Sequence, residues 1–413
     1  MTGIFVGSLD MKPEDPPSEM LLANNLGTLF VPTSEAPGGR LLFLREGILM
    51  AQPFDPDARK LVGEPVPVAE GVGLGGSVGY FTASPTGTLV YRSGGGGERQ
   101  LSWFDRKGNA VGRAGDSGAY NELALSPDST RVISSRSGGQ EDLWLFEFAR
   151  GSNTRFTFDP SLDRNPIWSP DGSQIAYCSG NNAQNLFRKA ANNAGEPELL
   201  SKSEGSGSTC PQDWSRDGRF LLYYAESSKT GADLMVLPLT GEAADRKPVP
   251  FLATQFNEMQ GRFSPDGRWV VYRSNESGRA EVYVRPFSNA QGSTAAGKAP
   301  AAAAGKAPAA GKWMISNGGG TQPRWRRDGK EILYFSPDAS IMSVPVEASG
   351  ATFAAGVPTR LFEVPIYPGP AGNITPSWDM TADAQKFLVT TLVGSNTSPP
   401  FTVVLNWETA LKR

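Results

Sequence analysis

The apolar residues of this chain fall in short bursts separated by Gly, Pro, Ser and Asp, and the bursts repeat. "WSPDGSQIAYCSG" at 168 to 180 returns as "WSRDGRFLLYYAE" at 214 to 226 and as "FSPDGRWVVYRSNE" at 263 to 276. Aligned on its four-residue turn, the pattern occurs at 36 (APGG), 84 (SPTG), 126 (SPDS), 169 (SPDG), 215 (SRDG), 264 (SPDG), 326 (RRDG) and 381 (TADA). The first five steps run from 42 to 49 residues and the last two are 62 and 55 residues, by subtraction of those positions. A period of 40–50 residues with several strands per unit is the mark of propeller blades.

Each slot of the repeat has a physical reason. Pro presets φ at the first corner, Asp or Ser hydrogen-bonds its own backbone, and Gly takes the left-handed position that ends the turn. Before the turn stands a mostly bulky apolar residue (Leu125, Trp168, Trp214, Phe263, Trp325, Met380, with Ala83 as the small exception), as a strand wedged between neighbouring sheets requires. After it comes a β-rich triplet such as Ile175-Ala176-Tyr177 or Val270-Val271-Tyr272, which predicts a well-buried second strand. A third burst ("DLWLFEF", "DLMVLPL", "EVYVRPF") and a weaker fourth ("TRFTFD", "EPELLS", "TRLFEV") complete the unit.

The expectation is therefore an all-β chain, a β-propeller of four-stranded antiparallel blades, with eight blades and seven as the alternative. It is drawn as one domain over 1–413, with a partial blade at 1–24 because "IFVGSLD" and "SEMLLA" read as third and fourth strands with no first or second before them. Either the C-terminal unit ("KFLVTTL", "FTVVLNW") supplies the missing inner strands or the chain is a piece of a longer protein. The low-complexity tract "GSTAAGKAPAAAAGKAPAAGK", 292–312, accounts for the 62-residue step as a peripheral insertion between a third and a fourth strand, with Lys298, Lys306 and Lys312 solvated.

Composition narrows the function classes. A formal charge of −3 with 20% charged residues of both signs gives no broad positive field for nucleic acid. Gly 48 and Pro 33 suit many turns. Cys178 and Cys210 make at most one bridge and say little about compartment. There is no histidine, which removes Ser-His-Asp and Cys-His nucleophile chemistry and His metal ligation. The first twenty residues show no basic start followed by an apolar core, and no stretch is long enough to span a bilayer.

Several motifs look chemical and read better as structure. "GVGLGG" (Gly71, Gly73, Gly76) fits a dinucleotide fingerprint, but "YFTASPTG" just beyond it reads as a strand where the fingerprint needs a helix. "GGSVG" (Gly75, Ser77, Gly79) fits a nucleophile elbow with no histidine to activate Ser77. Asp128, Asp171, Asp217, Asp266 and Asp328 are expected to cap the repeated turns, and Arg324, Arg326 and Arg327 to form an exposed strand rim. No catalytic residue, metal ligand or cofactor is expected. In a propeller the loops from each fourth strand to the next first strand converge at one mouth of the central channel, so the candidate ligand-binding residues are Asn121, Arg164, Asn165, Gln212, Asn257, Glu258 and Gln322.

The S-P-D-G repeat, from about residue 4 to 407, resembles the TolB-like family of propellers built from WD-type repeats. More narrowly, "LLFLREGILMAQPFDP", "TRFTFDP", "FSPDGRWVVYRSNESGRAEVYVRPF", "GGGTQPRWRRDGKEILY" and "TVVLNW" are similar to the propeller that follows the catalytic domain in many membrane-anchored bacterial serine/threonine kinases. The resemblance implies a non-catalytic sensing or binding module for a protein or peptide, extracytoplasmic or periplasmic when joined to such a kinase. The kinase's own Gly-rich loop, His-Arg-Asp loop and spanning helix are not in this sequence, so its activity is not implied. A monomer is expected, with no nucleic-acid partner and no membrane insertion. The alternative is a propeller hydrolase, or a peptidase-type accessory domain, using carboxylates and a bound cation.

Overall fold

The structure is a computed structural model that describes residues 3–7, 20–23, 27–33, 38–45, 47–75, 78–93, 99–137, 141–181, 183–203, 205, 207–242, 246–288, 311–349, 352–365, 377–393 and 400–412. The chain forms two compact units: Met1–Gly97 with Ser395–Arg413, and Glu98–Gly394. Both are built from antiparallel strands.

The Glu98–Gly394 unit holds six sheets. Five follow the chain, each with its first strand on the inside. The first strands are Tyr120–Leu125, Asp163–Trp168, Thr209–Trp214, Glu258–Phe263 and Thr321–Trp325 for blades one to five. The second strands are Arg131–Ser137, Gln174–Ser179, Phe220–Ser227, Trp269–Ser274 and Glu331–Phe335. Blade six is composite. Trp378–Met380 and Lys386–Leu392 are its first two strands, and Arg99–Asp105 and Ala110–Gly118, from the other end of the unit, are its third and fourth.

Why these sheets form a ring is visible in which way their side chains face. Alternate residues of a strand point to opposite faces of its sheet, and in the second strand of blade four Val270 packs toward blade three with Leu222 and Leu234 while Val271 packs toward blade five with Ile332 and Val344. Both valines are fully buried. A strand covered on both faces reads as a continuous apolar run, which is why the triplets show no polar alternation. The same holds at every seam: Ile133 with Ile175 between blades one and two, Ala176 with Leu221 between two and three, Leu333 with Phe387 between five and six, and Leu388 with Leu123 and Val132 between six and one. The last seam closes the cycle at six.

The eight turns are thus shared between the units, and the six sheets of Glu98–Gly394 close on one another without the other two. The expected count of eight or seven in one ring does not describe this unit. Nor do the two C-terminal strands stay together: Lys386–Leu392 pairs with Arg99–Asp105, whereas Phe401–Leu405 pairs with Thr88–Arg92 in the other unit. There, a five-stranded sheet (Thr28–Val31, Arg40–Arg45, Ile48–Asp55, Lys60–Leu61, Val66–Ala69) and a three-stranded sheet (Phe81–Ala83, Thr88–Arg92, Phe401–Leu405) share a core of Leu42, Leu44, Leu89 and Trp407. Ile4–Phe5 pairs with Met20–Leu22 as a separate hairpin.

The turns have the expected construction. In "SPDG" at 169, the Ser169 hydroxyl donates to Asp171 at 2.6 Å, Asp171 accepts the Ser173 amide at 3.0 Å, and Gly172 has φ 72°. Asp128, Asp217 and Asp266 are bonded in the same way, and Asp328 takes Arg326 in place of a hydroxyl. At Asp217 and Asp266 burial acts upward as the largest single influence, yet there and at the other three the summed hydrogen bonds and neighbouring cations hold the carboxyl below the usual range. Of the insertion, residues 292–310 lie outside the described residues, including Lys298 and Lys306; Lys312 is paired with Glu276 at 2.5 Å instead of being freely solvated.

Cys178, in the second strand of blade two, is bonded to Cys210, in the first strand of blade three, with Cα atoms 4.9 Å apart. The bridge staples two consecutive blades across 32 residues of sequence and stabilises by about 3–4 kcal/mol for a loop of that length. Replacing both cysteines by serine is expected to lower the urea-unfolding free energy by roughly that amount, and a thiol assay on the native protein should count none before reduction and both after. Ser129 stands at the corner that six of the eight turns give to Gly and has φ 58°, as Ala384 does in the last turn with φ 53°. Ser129→Gly is expected to raise stability by about 0.5–1 kcal/mol in the same unfolding experiment, because it relieves the left-handed strain of a side chain.

Candidate functional site

The first strand of each blade is hydrogen-bonded to a second strand on one side only, so its other edge faces the axis of the ring. Unpaired backbone groups away from bulk water need partners, and the neighbouring blade supplies them. The Gln212 carbonyl oxygen accepts the Gln260 amide at 2.5 Å, Gln260 accepts the Gln322 amide at 2.7 Å, and Gln322 accepts the Ser377 amide at 3.0 Å. One step along, Asp213 accepts the Phe263 amide at 2.7 Å and Asp379 the Leu125 amide at 2.9 Å. The Trp168 and Trp325 indoles donate to the carbonyls of Ala124 and Arg262. The channel wall is therefore polar by necessity.

Each first strand of blades one to five also carries an irregularity in register near its start, and at three of these places a polar residue has positive φ: Asn165 at 51°, Gln260 at 58° and Gln322 at 52°. A bulge turns its side chain away from the sheet face. Here it turns them toward the next blade.

Of the seven candidate residues, the fold brings together Asn121, Arg164 and Asn165 on blades one and two. Arg164 contacts Glu141 through Nε at 2.6 Å and Nη2 at 2.5 Å, and the Asn121 amide donates to the other oxygen of Glu141 at 2.5 Å. Arg99 of blade six donates to the Tyr120 carbonyl and to Asn121. The Asn165 amide lies 3.9 Å from the Cys178 sulfur. The other four are not gathered there. Gln212 and Gln322 hold blades together as described; Asn257 accepts the Ala232 amide, and Glu258, the first residue of its strand, is buried against Thr254 of the preceding loop.

Sequence reading missed the acidic half of this cluster. Glu122 is buried beside Glu141 and is bonded to the Ser135 hydroxyl. Burial first, and the Glu141 charge second, push its carboxyl up to about 7, while Ser135 and Arg164 act in the opposite direction. Tyr224 of blade three is near enough to Glu122, Arg164 and Asn165 to interact with all three, and burial raises its phenol. Reading also missed the charged ring of Asp213, Arg262, Arg324 and Asp379. Arg324, expected on an exposed rim, is buried in the channel wall; Arg327 is exposed and Arg326 is half-buried between Asp328 and Glu331. The signal was present: each of the four immediately precedes a bulky pre-turn residue, inside a strand.

Chemically the cluster can present a fixed guanidinium and amide groups, backed by the buried Glu122 carboxyl, which holds its proton more tightly than usual. Among the described residues no group of three or more His, Cys, Asp or Glu is arranged to hold a metal ion. In the "GVGLGG" region Leu74–Gly75 pairs with Val78–Gly79 as strands and Phe81–Ala83 is the next strand, while Gly76 and Ser77 lie outside the described residues. No helix among the described residues is long and apolar enough to cross a membrane.

The Glu122 environment sets a pH dependence. Between its ordinary value of 4.5 and about 7 the folded protein holds a proton that the unfolded chain has released. Its contribution to stability therefore falls as pH rises through that window and stays lowest above it. Glu122→Gln is expected to melt higher than the natural protein at about pH 8, with the gap shrinking toward about pH 4.5; melting curves across that range check it.

By sequence, no protein family and no curated protein matches the chain. By structure, it is similar to a putative TolB from Agrobacterium tumefaciens, with 16% identity and a TM-score of 0.53 over 72% of this chain and 99% of the other. It is also similar to TolB from Acinetobacter baumannii (12% identity, TM-score 0.39, 87% and 81% covered) and to an oligogalacturonate lyase in complex with manganese (12%, 0.42, 75% and 97%). The Agrobacterium likeness carries the fold alone: the chain has a β-propeller fold similar to that of the putative TolB.

Proposed function

We propose that the Glu98–Gly394 ring is a non-catalytic recognition module that binds a protein or peptide at the channel mouth, with Asn121, Arg164 and Asn165 as the contact residues. The observation that carries this reading is Arg164. Its side chain is 41% exposed, yet it is fixed by two contacts to Glu141, which is 6% exposed. An arginine held in place before a partner arrives loses little conformational freedom on binding, and such residues dominate recognition surfaces.

Two wider parts of the reading have separate supports. The Cys178–Cys210 bridge favours an oxidising, extracytoplasmic compartment, since such bonds are rare in the cytosol. The sequence motifs shared with propellers of membrane-anchored serine/threonine kinases support a place C-terminal to such a catalytic domain; the coding sequence upstream of Met1 tests this. A second reading, carboxylate catalysis, draws on the raised carboxyl of Glu122 beside Glu141. An esterase and glycosidase screen with added divalent cations, repeated on Glu122→Gln, separates it from the first.

For the main reading, envelope proteins are captured on the immobilised chain, and the recovered partner is titrated against natural protein and Arg164→Ala. The expected result is a partner whose affinity drops about tenfold or more in the variant. Recovery of nothing above an unrelated propeller, or equal affinity of the two forms, would contradict it.

A further inference from the structure

Four charged side chains occupy one register of the channel wall on consecutive blades: Asp213, Arg262, Arg324 and Asp379. The order matters. The two arginines are neighbours and the two aspartates are on the outside, so like charge faces like charge at the centre of the row. Arg262 lowers the Arg324 guanidinium, after burial, to about 10.

The aspartates are largely committed elsewhere. Asp213 accepts the Phe263 amide at 2.7 Å, and its other oxygen is 3.8 Å from Arg262 Nη1, beyond hydrogen-bond range. Asp379 accepts the amides of Leu125 and Met380, and its contact to Arg324 Nε is 3.4 Å. Arg324 donates once from Nη1 to the Pro323 carbonyl and once from Nη2 to the Trp378 carbonyl, at 3.0 and 3.3 Å, and each of these nitrogens carries a second N–H. The Arg262 Nε is buried and has no hydrogen-bond partner. A buried guanidinium donor left unpaired is costly, and most such groups in folded proteins have found a partner. Access is partial: the Arg262 side chain is 15% exposed and that of Arg324 is 9% exposed.

We propose that Arg262 and Arg324 form an anion site in the axial channel, taking a carboxylate or a phosphate group between the two guanidiniums. Both groups match the planar fork of arginine, and one bound oxygen pair would satisfy the Arg262 Nε while screening the two positive charges from each other. The site is on blades four and five, away from the Asn121–Glu141–Arg164 cluster of blades one and two, and it stands whether or not that cluster binds a partner.

The test is calorimetric titration of the full chain in a buffer free of small anions, with inorganic phosphate, acetate, and a short peptide bearing a free C-terminal carboxylate or its amide. Saturable binding of phosphate or acetate in the millimolar range or tighter is expected. Arg262→Gln should weaken it about tenfold or more and Arg262→Lys by less, because the ammonium keeps charge and loses the fork. Asp213→Asn, which keeps an acceptor for the Phe263 amide and removes the competing charge, should tighten it. Binding of the peptide acid and not of its amide assigns the natural ligand to a chain terminus; binding of phosphate with neither peptide assigns it to a free small anion. Far-UV dichroism and melting confirm that each variant is folded. No saturable binding of phosphate and acetate overturns the proposal, as does binding unchanged in both Arg262→Gln and Asp213→Asn.

Discussion

Each blade of the Glu98–Gly394 ring has an inner strand with one edge that no strand can cover, and the ring depends on how those edges are satisfied. A free edge is a liability in a β-protein. Here a side chain from the adjacent blade reaches many of the unpaired amides and carbonyls: Gln212, Gln260 and Gln322 in one layer, Asp213 and Asp379 in the next, and Trp168 and Trp325 for carbonyls. The requirement explains why polar and charged residues stand inside otherwise apolar strands. It also leaves a polar-walled channel without asking for a binding function first.

Around that axis the seams do the bulk of the stabilising. Because both faces of each sheet are covered by a neighbour, one valine pair such as Val270 and Val271 contributes to two cores, at roughly 1.5–3 kcal/mol per fully buried side chain. No sheet can keep both faces dry alone. The split sixth blade makes the closure chemical as well as geometric, since seven residue pairs from Arg99/Leu392 to Asp105/Lys386 link the two ends of the unit through a backbone ladder. A frame closed in this way can hold an exposed arginine such as Arg164 at fixed geometry.

The sequence was legible where one residue type has one job. Pro, Asp and Gly at the turn predict a corner, and Ser169, Asp171 and Gly172 build it. Apolar triplets predict second strands, and Trp168 and Trp214 before their turns are buried as expected. The count of blades in a ring was not legible, because a turn signature marks a hairpin and carries nothing about which hairpins share seams; Lys386–Leu392 and Phe401–Leu405 look alike and belong to different units. The site was legible only in part. Loop position found Asn121 and Arg164, but Glu122 and Glu141 lie in strands, where a lone carboxylate reads as solvated. Arg324 was misplaced because an arginine in a strand looks like a rim residue until the axial edge beside it is seen.

The claim that carries the rest is that six sheets close into one cooperative ring through the Arg99–Asp105 and Lys386–Leu392 ladder. Native-state hydrogen exchange resolved to single strands tests it most directly. If the ring is closed, amides of those two strands are protected as strongly as those of Trp269–Ser274 and are lost with them in one global opening. Exchange of either strand in an early, separate step, with the other five blades still protected, would contradict the account.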